Sequence, residues 1–363
     1  MRVALLTPAY WPEVRRGTER VVHDLGVGLH RRGHTPRIVT THPGRPSTAT
    51  EEGVRVTRHW RPPHRPAARL GFPQHTSQMP LLAADLLVHR QDVAQAFFPG
   101  DAVAAGAWSR VTRRPSVFSI MGLPRARALR RHRRSLGLWQ RACRDATAVV
   151  ALSQAAREAV GRELDVDAHV IHPGVDLERF RPGAARSEHP TILCVGALDD
   201  PRKRVSLLVE AFGVLRRQRP TARLLLLQPS DPSLAAQFAA DGVEFVDLDP
   251  RAEGLRELYG SAWVSALASE KEAFGLVLTE ALACGTPVVG AADGAAPEII
   301  GDSGVGATFA EPDAESVATA LLAALECAGD PSIVASCRRR AEMFSVARAL
   351  DLHETLYQEL VRA

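Results

Sequence analysis

Short apolar runs alternate with longer stretches of helical periodicity along most of this chain, and no other feature limits the possible folds so strongly. Arg2–Leu6, Pro36–Thr41, Val54–His59, Val93–Phe97, Ser116–Ile120, Ala148–Ala151 and His169–Ile171 read as strands. After a Pro/Gly/Arg-rich passage from Pro173 to Pro190 a second series begins at Thr191–Val195. It continues through Ala222–Leu227, Val243–Val246, Trp263–Ala266 and Pro287–Gly290, with helices starting near Val205, Ala252 and Leu276. Such alternation predicts two doubly wound α/β units with parallel sheets, and 363 residues suit two domains at roughly 100 to 200 residues each. Sheets of this kind bind ligands at the carboxyl ends of their strands, which places the expected active site in a cleft between the domains. Ser345–Val361 reads as a terminal helix with Val346, Leu350, Leu356 and Leu360 available for burial, and Gly44–Thr50 and Arg61–Arg69 read as loops. No internal repeat is found.

Composition removes several classes. With 45% hydrophobic and 24% charged residues the chain is not an intrinsically disordered one. Cys143, Cys194, Cys284, Cys327 and Cys337 are widely spread without a C-x-x-C pair, so no disulfide framework or cysteine zinc site is expected, and a cytoplasmic setting fits. The opening RVALLTPAY lacks the pattern of a signal peptide, and no apolar stretch nears the 18 or so residues of a membrane span. Charge divides unevenly: residues 1–183 hold 29 arginines against 15 acids, net +14, whereas the remainder holds 16 basic and 26 acidic residues, net −10. A basic first half suits an anionic ligand or surface, generic attraction to polyanions being the alternative. No recognition module accompanies the charge, so nucleic acid is not an expected partner.

The most informative segment is Ser269–Ala291, SEKEAFGLVLTEALACGTPVVGA, with Glu272 and Glu280 eight residues apart around Phe274-Gly275-Leu276. A helix starting near Leu276 would present the amides of Phe274, Gly275 and Leu276 to an anion or hydroxyl. Glu280, one turn inside, could accept two hydrogen bonds from a vicinal diol such as ribose, and Glu272 could address a sugar hydroxyl. The alternative is an ordinary helix–strand connection with exposed acids. His30 and His34, at the end of a helix and its exit, read as structural, and no metal site is expected.

This segment resembles the E-x7-E region of glycosyltransferase family 4, retaining enzymes of the GT-B fold, in which two Rossmann-like domains face a central cleft. Further pieces match in order: Gly17-Thr18-Glu19-Arg20, Arg32-Gly33-His34, His172-Pro173-Gly174-Val175-Asp176 with Phe180, Pro201-Arg202-Lys203-Arg204 and Pro297-Glu298-Ile299. The resemblance is densest from Val170 to Gly306 and weakest from Thr41 to Arg110. It implies an acceptor domain over residues 1–173, a donor domain over 174–344, and a helix over 345–363 packing back on the first. The donor would be a nucleotide diphosphate sugar used without a metal or other cofactor. Lys203 would lie on its diphosphate, Glu280 on its ribose, and Glu272 with the amides of Phe274, Gly275 and Leu276 on its sugar. Gly17 would approach a phosphate oxygen from the other domain, and Val246 and Leu248 would lie at the nucleobase.

Two positions depart from the family pattern. An arginine usually follows the glycine after the first strand of the donor domain, but the chain reads Val195-Gly196-Ala197; Arg202 could substitute or point to solvent. Met121 stands where a histidine near the reaction centre is typical, with Gly122 beside it in the expected acceptor pocket. A thioether cannot exchange protons. On this reading Met121 joins Glu272 and Lys203 at the reaction centre, where it would tune the reaction, suit a deoxygenated sugar or simply fill the pocket floor. The reaction implied is hexose transfer to a small-molecule or glycolipid acceptor. The two departures keep open a catalytically silent relative that binds nucleotide or a partner protein. They also keep open an altered chemistry such as epimerisation or pseudo-glycosyl coupling. Arg125–Arg144, arginine-rich, free of acids and carrying Leu129, Leu136, Leu138, Trp139 and Ala142, offers peripheral contact with an anionic membrane, although Gly137 interrupts it. The oligomeric state is not read from the sequence.

Overall fold

The computed structural model describes all residues except 15, 131–133, 184, 230 and 248–251. The chain divides into two units, residues 1–174 with 346–363, and residues 175–345. The first unit contains β1 (Arg2–Leu6), β2 (Thr35–His42), β3 (Ser47–Glu51), β4 (Val54–Trp60), β5 (Val93–Ala96), β6 (Ser116–Ile120), β7 (Ala148–Ala151) and β8 (His169–Val170). They form one sheet in the order β3-β4-β2-β1-β5-β6-β7-β8. All neighbours are parallel except β3 and β4.

Alternation along each strand supplies both faces of this sheet. Ala4 and Leu6 of β1 join Phe118, Trp108, Leu82 and Leu86 in a core beneath the helices Met79–Val88, Pro99–Thr112, Ser135–Asp145 and Gln154–Leu164. Val3 and Leu5 point the other way, into a core with Val22, Leu25, Ile38 and Val117 under the helix Gly17–Arg31. The terminal helix Val346–Arg362 completes that second core with Leu350, Leu356 and Tyr357. It lies so close to the helix Gly17–Arg31 that a Cβ on Gly28 would stand 2.5 Å from Leu350 Cδ1. Each leucine so buried contributes about 1.5–3 kcal/mol, which holds the chain's last helix to its first unit.

The reading of Gly44–Thr50 as a loop is corrected. Ser47–Glu51 pairs antiparallel with β4, Glu51 opposite Val54, across a two-residue turn in which Glu52 and Gly53 have φ of 46° and 81°. Positive φ at both central residues is the geometry that matches the twist of a hairpin, and Glu-Gly supplies it. The strand was illegible because STATE is a mostly exposed edge with no buried face to impose alternation. Within Arg61–Arg69, likewise read as a loop, Arg65–Arg69 forms a short helix.

The second unit contains β9 (Thr191–Cys194), β10 (Arg223–Leu227), β11 (Val243–Val246), β12 (Val264–Leu267), β13 (Val288–Ala291) and β14 (Gly306–Phe309). The order is β11-β10-β9-β12-β13-β14, entirely parallel. Strand β14, a short edge beginning at glycine, was not anticipated. The order reverses between β9 and β12, the switch point at which open α/β sheets bind ligands. Among the described residues no single helix is long and apolar enough to cross a membrane.

Candidate active site

Residues that follow β9, β12 and β13 converge at the carboxyl ends of those strands. After β9 the chain makes a single 3-10 turn, Pro201–Lys203, started by Asp200, whose Oδ1 accepts from the Arg202 amide at 3.0 Å. Lys203 leaves this turn with its stem beside Gly196, where a Cβ would stand 3.9 Å from Lys203 Cβ and Cγ. Its Nζ donates to Glu272 Oε2 at 2.8 Å, both side chains being about a quarter exposed. The loop after β12 is pinned on two sides: the Glu270 amide donates to Arg202 O at 2.8 Å, and the Ala295 amide to Glu272 O at 3.0 Å. Asp293, two residues beyond β13, accepts from the Lys271 amide at 2.9 Å.

The loop turns into the helix Leu276–Ala283 at Gly275, whose φ of +95° is open to glycine at little cost. The Leu278 amide donates to Gly275 O at 2.9 Å, and the amides ahead of it precede the helix's own carbonyls, so those are the ones presented at this spot. One turn in, Glu280 is 1% exposed, and its Oε2 accepts from Tyr259 Oη at 2.9 Å. Tyr259 is fully buried, with its carbonyl accepting from Thr286 Oγ1 at 2.6 Å and its ring edge-on to Phe180. A cation, a carboxylate and oriented amides thus share one sheet end, with a second, rigidly held carboxylate behind them. An ion pair as exposed as Lys203–Glu272 contributes only about 0–1 kcal/mol, so a more highly charged anion can displace it.

In the first unit a pocket lies at the carboxyl ends of β5 to β8, lined by Ser119, Met121, His172 and Pro173, with Asp24 and Leu25 of the first helix and His353 of the last. Met121 lines this pocket; Gly122, next along, faces open space, with nothing within 4 Å of where its Cβ would be. Gly17 is the exposed first residue of the helix Gly17–Arg31, and Glu19 Oε2 accepts from the Arg16 amide at 3.2 Å. Behind the pocket is a closed polar network: Tyr357 Oη donates to Gln95 Oε1, and Gln95 Nε2 reaches Ser119 Oγ at 2.7 Å and His353 Nε2 at 3.3 Å. His353 Nδ1 meets Ala349 O at 2.8 Å, so Nδ1 carries the hydrogen and Nε2 accepts.

Two family models match successive parts of the chain, "Glycosyltransferase Family 4" over residues 15–179 and "Glycosyl transferases group 1" over 176–342. The chain belongs to glycosyltransferase family 4. Within it, a D-inositol 3-phosphate glycosyltransferase of Saccharomonospora viridis is 33% identical over 242 residues, covering 60% of this chain and 54% of the relative. An MMP alpha-(1->4)-mannosyltransferase of Mycolicibacterium hassiacum is 34% identical over 161 residues, 43% of this chain and 39% of the relative. The matched part of the chain spans about half the length of the first of these relatives. Among solved structures, sucrose-phosphate synthase of Thermosynechococcus elongatus superposes with a TM-score of 0.80 at 22% identity, covering 99% and 98% of the two chains. HepE of Anabaena, solved in complex with UDP and glucose, gives 0.75 at 19% identity, covering 98% of each. The fold is the two-domain α/β GT-B fold.

Several family-derived expectations are revised by the geometry. Arg202 does not turn toward Lys203: its guanidinium holds both oxygens of Asp200 at 3.1 and 2.5 Å and the side chain is 62% exposed. The basic stretch Arg125–Arg144 is not one surface helix. Its described residues include the helices Ala126–Leu129 and Ser135–Asp145, and Leu129, Leu138 and Ala142 are buried with Leu136 and Trp139 against them. Its apolar stripe belongs to the core. Of the two nucleobase candidates, Val246 ends β11 half-buried, and Leu248 lies outside the described residues. His34 joins the terminal amine at 3.0 Å and Glu354 at 2.8 Å, tying the chain's start to its last helix. Burial pushes the thiols of Cys143, Cys194, Cys284 and Cys337 up to about 12, leaving them un-ionised at neutral pH.

Sequence reasoning missed Tyr259, Asp293 and Gly294. Nothing local marks the first two, but Gly294, in Ala-Asp-Gly-Ala just past a strand, carries a usable signal. A Cβ there would stand 2.6 Å from both the N and the O of Glu272, a backbone contact with no flexible group to yield. Gly294→Ala is expected to displace the Glu272 loop at a cost of about 1–3 kcal/mol, read as a fall of several degrees in Tm together with weaker nucleotide binding. An unchanged Tm would show that the loop is not held where it appears.

Proposed function

We propose that the chain is a retaining, metal-independent glycosyltransferase, with residues 175–345 holding a nucleotide diphosphate sugar and residues 1–174 with 346–363 taking a small-molecule or glycolipid acceptor. The observation that carries this is the set of Lys203, Glu272 and the Gly275–Leu276 amides at the β9/β12 switch point, with Glu280 buried one turn on. The names of the relatives support sugar transfer, and HepE, solved with UDP and with UDP-glucose, supports a nucleotide as its carrier. In the transfer the bond from the anomeric carbon to the diphosphate breaks, and negative charge grows on the leaving oxygen. The Lys203 ammonium and preorganised amides stabilise that charge. The acceptor hydroxyl forms the new bond on the same face, and its proton passes to the departing phosphate.

Calorimetric titration with UDP, GDP, ADP and TDP in metal-free buffer tests the reading. One of the four is expected to bind at micromolar concentration. Lys203→Ala should weaken it by about 1.5–3 kcal/mol, the range of a charge-assisted contact, or roughly 10- to 150-fold. Absence of binding by all four would overturn the proposal. Ala197, with no charge where the family carries arginine, favours a second reading as a catalytically silent nucleotide binder. Product formation or donor hydrolysis by the purified protein separates the two.

A further inference from the structure

The residue that follows Lys203 occupies the left-handed region without being glycine. Arg204 has φ 47° and ψ 42°, a conformation that residues with a Cβ rarely adopt. Its guanidinium is drawn inward, only 24% of the side chain being exposed, and Nη1 stands 4.0 Å from Asp293 Oδ2. The other oxygen of Asp293 accepts from the Lys271 amide. Consecutive cations therefore reach consecutive residues of one loop, Lys203 to Glu272 directly and Arg204 to Lys271 through Asp293. The backbone reversal at Arg204 is what lets neighbouring side chains converge in this way. The other arginine of the turn, Arg202, is held outward by Asp200, and Ala197 brings no charge.

We propose that Arg204 is the second cation of the diphosphate subsite, acting with Lys203 where Ala197 cannot. The assignment rests on the nucleotide-sugar reading above. In the free protein Glu272 and Asp293 serve as counter-ions to the two cations. A diphosphate, with more charge than either carboxylate, replaces both of them, takes the planar guanidinium in a two-point contact, and releases Glu272 toward the sugar hydroxyls.

The test titrates the whole chain and its Arg204→Gly and Lys203→Ala variants with the matched pairs UDP/UMP, GDP/GMP, ADP/AMP and TDP/TMP. Glycine accepts the left-handed backbone, so Arg204→Gly should fold with a Tm no lower than wild type. Its preference for diphosphate over monophosphate should fall tenfold or more, and Arg204→Lys should restore part of it. A preference unchanged in Arg204→Gly but reduced in Lys203→Ala overturns the role of Arg204 and leaves the donor site standing. A lower Tm with unchanged preference also overturns it, since Arg204 would then serve only to hold Asp293. Failure of the wild type to bind any of the eight nucleotides overturns the donor site and this inference with it.

Discussion

Glu280→Gln will weaken nucleotide binding about 10- to 150-fold while leaving thermal stability close to wild type. The two halves of that expectation have separate causes. On the proposed donor reading, a buried carboxylate one turn inside the helix Leu276–Ala283 would offer charged acceptors to a ribose diol, and losing a charge-assisted contact costs about 1.5–3 kcal/mol. Glutamine keeps the shape and still accepts from Tyr259 Oη, so the fold is not asked to bury an unpaired phenol. Glu280→Ala removes both, and leaving the Tyr259 hydroxyl unsatisfied adds about 1–3 kcal/mol of destabilisation. Calorimetry and thermal unfolding on the two variants distinguish binding from folding. A 2′-deoxy form of the nucleotide that binds should show a deficit in wild type that disappears in Glu280→Gln. Wild-type affinity in both variants would remove Glu280 from the ribose.

The second large effect is acid lability of the first unit. Burial pushes His353 down to about 4 from the ordinary 6.5, because the ring is enclosed by the sheet and its own helix and its hydrogen-bond partners are neutral. An unfolded chain takes up the proton near pH 6.5, but the folded one resists it until about pH 4. The neutral ring's contribution is therefore complete above pH 6.5 and is lost as pH falls toward 4, a change of about 3 kcal/mol at 1.36 kcal/mol per pH unit. Protonation would place a hydrogen on Nε2, which faces the Gln95 amide donor, and would break the network that joins the terminal helix to β5 and β6. Asp101 works in the opposite sense. It is wholly buried, raised to about 7 by that burial, and accepts from Gln78, so its share of stability is present at low pH and is lost as pH rises through 7. The His353 effect is accordingly read as a difference. Between pH 7 and pH 4, wild type should lose about 3 kcal/mol more than His353→Gln in denaturant unfolding. Equal losses would mean that the ring is not held neutral by burial.

Much of this molecule was written locally. Strands such as β1, β6 and β9 are buried on both faces, so their residues are mostly apolar and the runs stand out against helical periodicity. The same holds for Glu272, Gly275 and Glu280, whose spacing across a loop and the first turn of a helix is a property of nine consecutive residues. Strand β3 escaped because an exposed edge imposes no pattern, and Arg125–Arg144 misled because an amphipathic stripe looks the same whether it covers a core or a membrane.

What the sequence determined by itself is the alternation of elements, the two sheets and the type of group placed at each strand end, since these follow from local periodicity and turn chemistry. Which side chains meet there was decided only by the tertiary structure. Lys203 finds Glu272 across 69 positions of chain, Tyr259 finds Glu280 across 21, and Tyr357 finds Gln95 across 262. Arg202 and Arg204 differ in fate, one turned to solvent and one drawn in, through a backbone reversal that no residue type at position 204 announced. Contacts at such separations depend on how helices settle against a twisted sheet. That is set by the packing of whole faces and not by any one residue's preference.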